Sequence, residues 1–526
     1  MVDDIAKTVF TILLKLAKPM AAAVIWSYFW VPVVGLFVAG IVTGDGKRLL
    51  WLGDLIALFA LIAWIWLLVQ RIVRLFKKDP EFSFMALIVG KAGTRKEKKA
   101  LDPKADKRLL AATPEGGYPV GQKGRRWVVL PDSMEYHALI VGGSGSGKTS
   151  TQVIPLLLKS RLPAFCVDIK GELFEKTSSI LSKRVKIKVF NPSDPSAWGY
   201  DPFGAVRKES AVLDMTTIAN ALVPLSPGAG KDEFWISEAQ NYLAGALLFS
   251  WESGATFTQA MRTIQSTSAE KFVAAAVKNG SEDVRVLLGH FDGMASETLS
   301  SVFATLSSKT MIFASDPDIM RCFNSDRVIR PEDLLDGTTI FMQIPEHRLE
   351  VYRNVTQLVI GQFLKFWERQ PDGSAPKVNF ILDEFFRLGK LSSVENGMAT
   401  LRSKGVRIHA ITQSLAQIEQ LYDRVGARAL ADNFTVKVLL GASEPESQRY
   451  FCDLIGSYDK TMRSTSSNQQ TARFGGSKGV SWSEQERKII RPEQLARLGN
   501  ECILFSIGGW YRVQKRPYYS TKQLQN

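Results

Sequence analysis

Gly142-Gly143-Ser144-Gly145-Ser146-Gly147-Lys148-Thr149 is a full match to G-x-x-x-x-G-K-[ST], and the fold follows from it. Glycines let the backbone turn tightly enough to point successive N–H groups at anionic oxygens. The eight residues would together cradle the phosphates of ATP, with Lys148 reaching the β- and γ-phosphates and the Thr149 hydroxyl ligating Mg²⁺. The flanks agree. His137-Ala138-Leu139-Ile140-Val141 reads as a strand entering the loop, and Thr149–Lys159 as a helix leaving it, its N-terminus beneath the phosphates. Pro155 falls inside that helix and is expected to kink it.

Downstream, Val378-Asn379-Phe380-Ile381-Leu382 is an apolar strand that delivers Asp383 and Glu384 at its C-terminal end, the rim where open α/β sheets bind ligands. Asp383 would hold Mg²⁺. Glu384, facing another direction, would orient and deprotonate an attacking water. Two further groups have a functional and a plain reading. Gln413 ends the strand Ile408–Thr412 and is either a γ-phosphate sensor or an edge hydrogen bond. Arg402 is either an arginine finger for a neighbouring subunit's nucleotide or a solvated surface arginine.

Other short apolar runs read as buried strands: Ala138–Val141, Ala164–Ile169, Val185–Phe190, Thr339–Ile344, Thr435–Leu440 and Ile503–Ile507. They are continuous rather than alternating, which suits a parallel sheet covered on both faces. The texture between 206 and 324 is helical without strand runs, an all-α insertion that accounts for the long interval between Lys148 and Asp383. The expected organisation is α/β: a RecA-like P-loop domain of residues 126–205 and 325–526, split by the 206–324 insertion. A membrane region (1–78) and a basic linker (79–125) precede it. Residues 464–481, rich in Ser, Gln and Gly, read as a mobile loop.

Composition narrows the alternatives. With 45% hydrophobic and 22% charged residues, the 526-residue chain is not wholesale disordered. Its four cysteines and four histidines are too scattered for a disulfide scaffold or a zinc module. The net charge of +14 is concentrated: residues 71–108 carry +7 and residues 460–526 carry +8, leaving the remainder near neutral.

Residues 20–43 hold no charge and are long enough to span a bilayer, as are residues 49–73. Lysines and arginines at the ends of this hairpin (Lys7, Lys15, Lys18, then Arg71, Arg74, Lys77 and Lys78) are expected to put both termini in the cytoplasm. Lys15 and Lys18 also interrupt the apolar core that a cleaved signal peptide needs. The basic stretch after the hairpin would meet anionic headgroups of inner-membrane lipids.

Together these motifs resemble the coupling ATPases of type IV secretion and conjugation, the TraG/TrwB type. The resemblance also takes in Val167-Asp168-Ile169-Lys170-Gly171-Glu172, Asp232-Glu233-Phe234-Trp235, Leu388-Gly389 and Thr412-Gln413-Ser414. It implies a homohexameric motor at the bacterial inner membrane, in which Lys148, Asp383, Glu384, Arg402 and Gln413 are catalytic. Such a motor passes single-stranded DNA with its relaxase, or effector proteins, to the type IV secretion system. The outer loop of about five residues is short for members with a periplasmic segment, and no long acidic tail follows Tyr519. The rival readings are a substrate-docking receptor with little ATPase activity and a chromosome-segregation DNA pump.

Overall fold

The computed structural model describes residues 105–225, 230–467 and 478–525. The two expected membrane spans and most of the basic 71–108 stretch lie outside these residues. Among the described residues, no helix is long and apolar enough to cross a membrane.

The centre is a sheet of seven parallel strands. In spatial order they are β10 (Val436–Gly441), β4 (Ala138–Gly142), β9 (Val406–Thr412), β8 (Val378–Leu382), β5 (Ala164–Val167), β7 (Thr339–Met342) and β6 (Ile187–Phe190). Each is apolar and nearly all are buried, as a sheet covered on both sides requires. The period-2 geometry of a strand divides each run between two cores. Leu139, Val141, Phe165, Val167, Phe380 and Leu382 enter the core on one face, and Ala138, Ile140, Cys166 and Ile381 enter the core on the other.

The eight strands expected from the apolar runs are all present, but the sheet is wider than they suggest. β13 (Glu501–Ser506) adds antiparallel to β10, and β14 (Gly509–Gln514), β2 (Gly117–Lys123), β3 (Arg126–Pro131) and β1 (Leu110–Ala111) continue it. Residues 117–123 are therefore strand, not linker. Gly117 and Gly121 serve close strand approach. A Cβ at Gly117 would lie 2.2 Å from the Leu130 carbonyl oxygen, and one at Gly121 2.3 Å from that of Gln514. Tyr118 and Val120 are fully buried.

Of the loop expected over 464–481, residues 464–467 and 478–481 are strand, and 468–477 lie outside the described residues. β11 (Ser457–Ser467) and β12 (Lys478–Lys488) pair antiparallel along their whole length, Ser457 opposite Lys488 and Ser467 opposite Lys478. Eleven-residue strands reach about 35 Å. A two-stranded ladder satisfies the backbone of polar strands by pairing alone.

Helices α1 (Ile154–Lys159) and α2 (Glu172–Leu181) cover one face. Between β6 and β7 come α3 (Ala211–Leu222), α4 (Glu233–Glu252), α5 (Phe257–Ser266), α6 (Ala269–Asn279), α7 (Glu282–Leu288) and α8 (Ser296–Thr310). Their apolar residues share one continuous core with the other sheet face and with α9 (Arg353–Glu368). Polar ties reinforce that joint. The Tyr200 hydroxyl donates to Gln362 Oε1 at 2.8 Å, the Gln362 amide to Pro202 O at 2.9 Å, and buried Asp214 pairs with Arg369.

Phe165 on β5 lies against Phe380 on β8 (centroids 5.4 Å) and Phe363 on α9 (4.7 Å), fully buried. Phe165→Ala is expected to cost about 3–5 kcal/mol through lost burial and a residual cavity. A denaturant midpoint within error of the wild type would show that the core closes over the gap.

Candidate functional site

The parallel strands place four ends side by side. Val141 pairs with Thr412, and Leu382 with both Ala410 and Val167. The glycine loop after β4, Gln413 after β9, Asp383-Glu384 after β8 and Asp168 after β5 therefore share one rim. β9 lies between the strand that carries the loop and the strand that carries the acids.

The loop turns through Gly145 (φ +74°) and Gly147 (φ +89°), values that a side chain would strain. Gly142 is needed for space, since its Cβ would come 2.5 Å from Ser146 Oγ. The Lys148 ammonium donates to the carbonyls of Gly142 (2.6 Å) and Gly143 (3.1 Å), so the lysine arches over the loop. Burial lowers its pKa, while Glu384 and Asp383 act in the opposite direction. Lysine and carboxylates thus share one electrostatic environment.

The chain leaves the loop in a π-helical turn, Thr149–Val153, in which the Ile154 N–H reaches Thr149 O, before α1 begins. Pro155 stands in the first turn of α1, where its missing N–H matters least. The anticipated kink takes the form of this wide turn. Buried Gln152 fastens the turn to β2, accepting from the Tyr118 hydroxyl at 2.6 Å and donating to Val120 O at 3.2 Å.

Asp383 is 9% exposed, and its pKa is pushed up to about 6, first by burial, then by Glu384 and Asp168. Glu384 has a left-handed backbone (φ 52°, ψ 46°), uncommon for a non-glycine residue. Glu384 pairs with Lys170 at 3.4 Å. Among the described residues, no group of three or more His, Cys, Asp or Glu is set to hold an ion. The half-buried Thr149 hydroxyl and buried Asp383 are the oxygen donors at hand. So sparse a set suits Mg²⁺, which binds mainly through phosphates and water. A cation there would also favour the ionised Asp383 that burial disfavours.

Gln413 is exposed on this rim, its backbone N–H held by Gln417 Oε1 at 3.1 Å. Arg402 is not brought to the site within one chain. It stands exposed in the last turn of α10 (Ser392–Ser403), which runs from the acid-bearing rim back to the start of β9 on the opposite edge. Buried His137 anchors α10 there: its Nε2 donates to Met398 O at 2.7 Å, and its Nδ1 accepts the Ile408 N–H at 3.0 Å. Burial holds this imidazole neutral, with its pKa near about 4.

Three contributors escaped the sequence reading. Asp168 is buried and accepts the N–H groups of Leu173 (3.2 Å) and Phe174 (2.8 Å), capping α2 beside Asp383. Lys170 restrains Glu384. Lys515, just past β14, donates to Ser146 O in the loop at 3.1 Å. Only the first two lay in a stretch already singled out, Val167–Glu172.

A glycine phosphate loop at the end of a central parallel strand, with paired acids two strands away, defines a RecA-like P-loop nucleotide-binding protein. The match to the family described as Type IV secretory system conjugative DNA transfer covers residues 87–526, and the chain belongs to that family. It is 27% identical over 418 residues to Protein VirD4 of Agrobacterium fabrum, covering 76% of this chain and 62% of that one. It is 26% identical over 391 residues to the conjugal transfer protein TraG of Rhizobium radiobacter, covering 71% and 58%. The chain therefore spans about three fifths of the length of these curated relatives. The fold is similar to that of the bacterial conjugative coupling protein TrwBdeltaN70, with a TM-score of 0.60 at 19% identity over 81% of this chain and 94% of that one. It is also similar to TrwB in complex with ADP and Mg²⁺, with a TM-score of 0.54 at 20% identity over 74% and 87%.

Because burial raises the Asp383 pKa above its usual 3.8, the native state loses stability as pH climbs between these two values. Asp383→Asn removes that loss, which amounts to about 3 kcal/mol at pH 7.5. Without nucleotide, the variant is expected to be more stable than the wild type at pH 7.5, the gap narrowing by about half at pH 5. A gap independent of pH would show that Asp383 is not the group responsible.

Proposed function

We propose that this chain is a membrane-anchored ATPase that couples nucleotide hydrolysis to the passage of DNA with its relaxase, or of effector proteins, into a type IV secretion system during conjugation. The observation that carries the proposal is the convergence of Lys148, Asp383, Glu384 and Gln413 on one rim of a parallel sheet. Family membership and relatives named VirD4 and TraG support the transfer role. The TrwB complex with ADP and Mg²⁺ supports the choice of ligands.

The loop amides and Lys148 would hold the β- and γ-phosphates and offset their charge. Thr149 and Asp383 would hold Mg²⁺, which when bound neutralises charge building on the phosphate oxygens. Glu384 makes no side-chain capping hydrogen bond at the helical turn it opens, unlike Asp168. It would take a proton from the water that attacks the γ-phosphorus. Lys170 draws Glu384 aside at 3.4 Å, so this pair must loosen before Glu384 can serve as base. Gln413, one strand over, is placed to report the γ-phosphate to α11 (Leu415–Asn433), which follows directly.

Arg402 cannot complete its own chain's site from the opposite sheet edge. It would act on a neighbour's nucleotide in a ring, and a homohexamer is the assembly this reading takes. The N-terminal apolar spans would anchor the ring in the inner membrane with both termini in the cytoplasm.

Lys148→Ala is expected to abolish nucleotide binding. Glu384→Gln should retain binding while hydrolysis falls by about 10²–10⁴. Normal DNA transfer by both variants would leave only a docking role. Arg402→Ala and Lys148→Ala proteins, each inactive alone, should recover partial hydrolysis when co-assembled, because a mixed interface pairs an intact loop with an intact arginine. Failure of mixing to restore phosphate release, with co-assembly verified, would remove Arg402 from the reaction.

A further inference from the structure

The last residues of the chain return to the phosphate loop. After β14 the Lys515 N–H donates to Asn500 O at 2.8 Å, fixing the backbone, and the side chain extends to Ser146 O at 3.1 Å. Its neighbours are tied down as well. Arg516 donates to Gln122 Oε1 on β2 at 2.8 Å, Tyr518 packs against the apolar residues beneath α1, and Leu524 is buried under Trp127. Trp127 Nε1 in turn donates to Gln523 at 2.9 Å. Lys515 is thus held in place rather than waving in solvent.

Its chemistry is unusual for a bracing residue. Lys515 is half-buried and has no carboxylate partner among the described residues, and burial holds its pKa below that of an ordinary lysine. An ammonium has three donors, and Ser146 O uses one. On the same loop residue, Ser146 Oγ is buried without a hydrogen-bond partner. A desolvated cation with spare donors against the glycine loop, and an orphaned hydroxyl on that loop, share one missing complement: an anion.

We propose that Lys515 is a second cation of the phosphate cradle, contacting the phosphate chain of the bound nucleotide from the Ser146 side while Lys148 serves it from the other end of the loop. This rests on the nucleotide-binding reading above. The C-terminal segment then belongs to the nucleotide site, and the antiparallel strands β13 and β14 exist in part to carry Lys515 there. A charge-assisted hydrogen bond to phosphate sets the expected size of the effect.

The test is equilibrium binding of ATP, ADP and AMP to the full chain, by displacement of a fluorescent nucleotide, for wild type, Lys515→Met and Lys515→Arg. Lys515→Met is expected to weaken ATP and ADP by about 10- to 100-fold. AMP should change less, and Lys515→Arg should recover most of the loss. The melting temperature without nucleotide should stay near the wild-type value. Wild-type affinities in Lys515→Met would overturn the inference and leave the site reading intact. Equal weakening in the Arg variant would overturn it too, since a brace and not a charge would have been lost. Absence of nucleotide binding by the wild type would overturn both. If Lys515→Met does not fold, Lys515→Gln is read by the same criteria.

Discussion

β4, β9 and β8 are parallel and in fixed register, Val141 beside Thr412 and Ala410 beside Leu382, so the loop, Gln413 and the acidic pair end on the same side of the sheet. A register slip of one residue would turn each strand's core-facing side chains to the opposite face. Because both faces are buried under different cores, that slip is strongly disfavoured. The apolar runs therefore do more than fill the interior. They set where Lys148 stands relative to Asp383, and every chemical property of the rim follows from that placement.

The rim stores electrostatic tension. Asp383 is buried beside Glu384 and Asp168, Lys148 is partly desolvated above its own loop carbonyls, and Glu384 occupies a left-handed backbone. The burial of Asp383 and of Lys148 is unfavourable alone, and under the proposed function a polyanion with a divalent cation would offset both.

The surroundings divide the labour. His137 clamps the starts of β4 and β9 to α10, fixing Arg402 on the edge away from the loop. Under the proposed function, Arg402 would serve a neighbouring copy's loop rather than its own. The helical insertion shares one continuous core with α9 and the sheet.

Local sequence determined much of this protein. The glycine loop needs its residues in unbroken order, and the strands on either side of it are continuous apolar runs, so loop, strand and the Asp383-Glu384 pair were legible without coordinates. What tertiary structure alone decided has a common cause: long-range pairing leaves no short-range signature. Residues 117–123 looked like a linker because Gly117 and Gly121 mark close strand contacts as readily as turns. The 457–488 hairpin was hidden because backbone ladders tolerate polar sequence. Asp168 and Lys170 acquire meaning only beside β8. Lys515, 369 residues from Ser146 along the chain, joins the loop only because β13 and β14 fold back along the sheet.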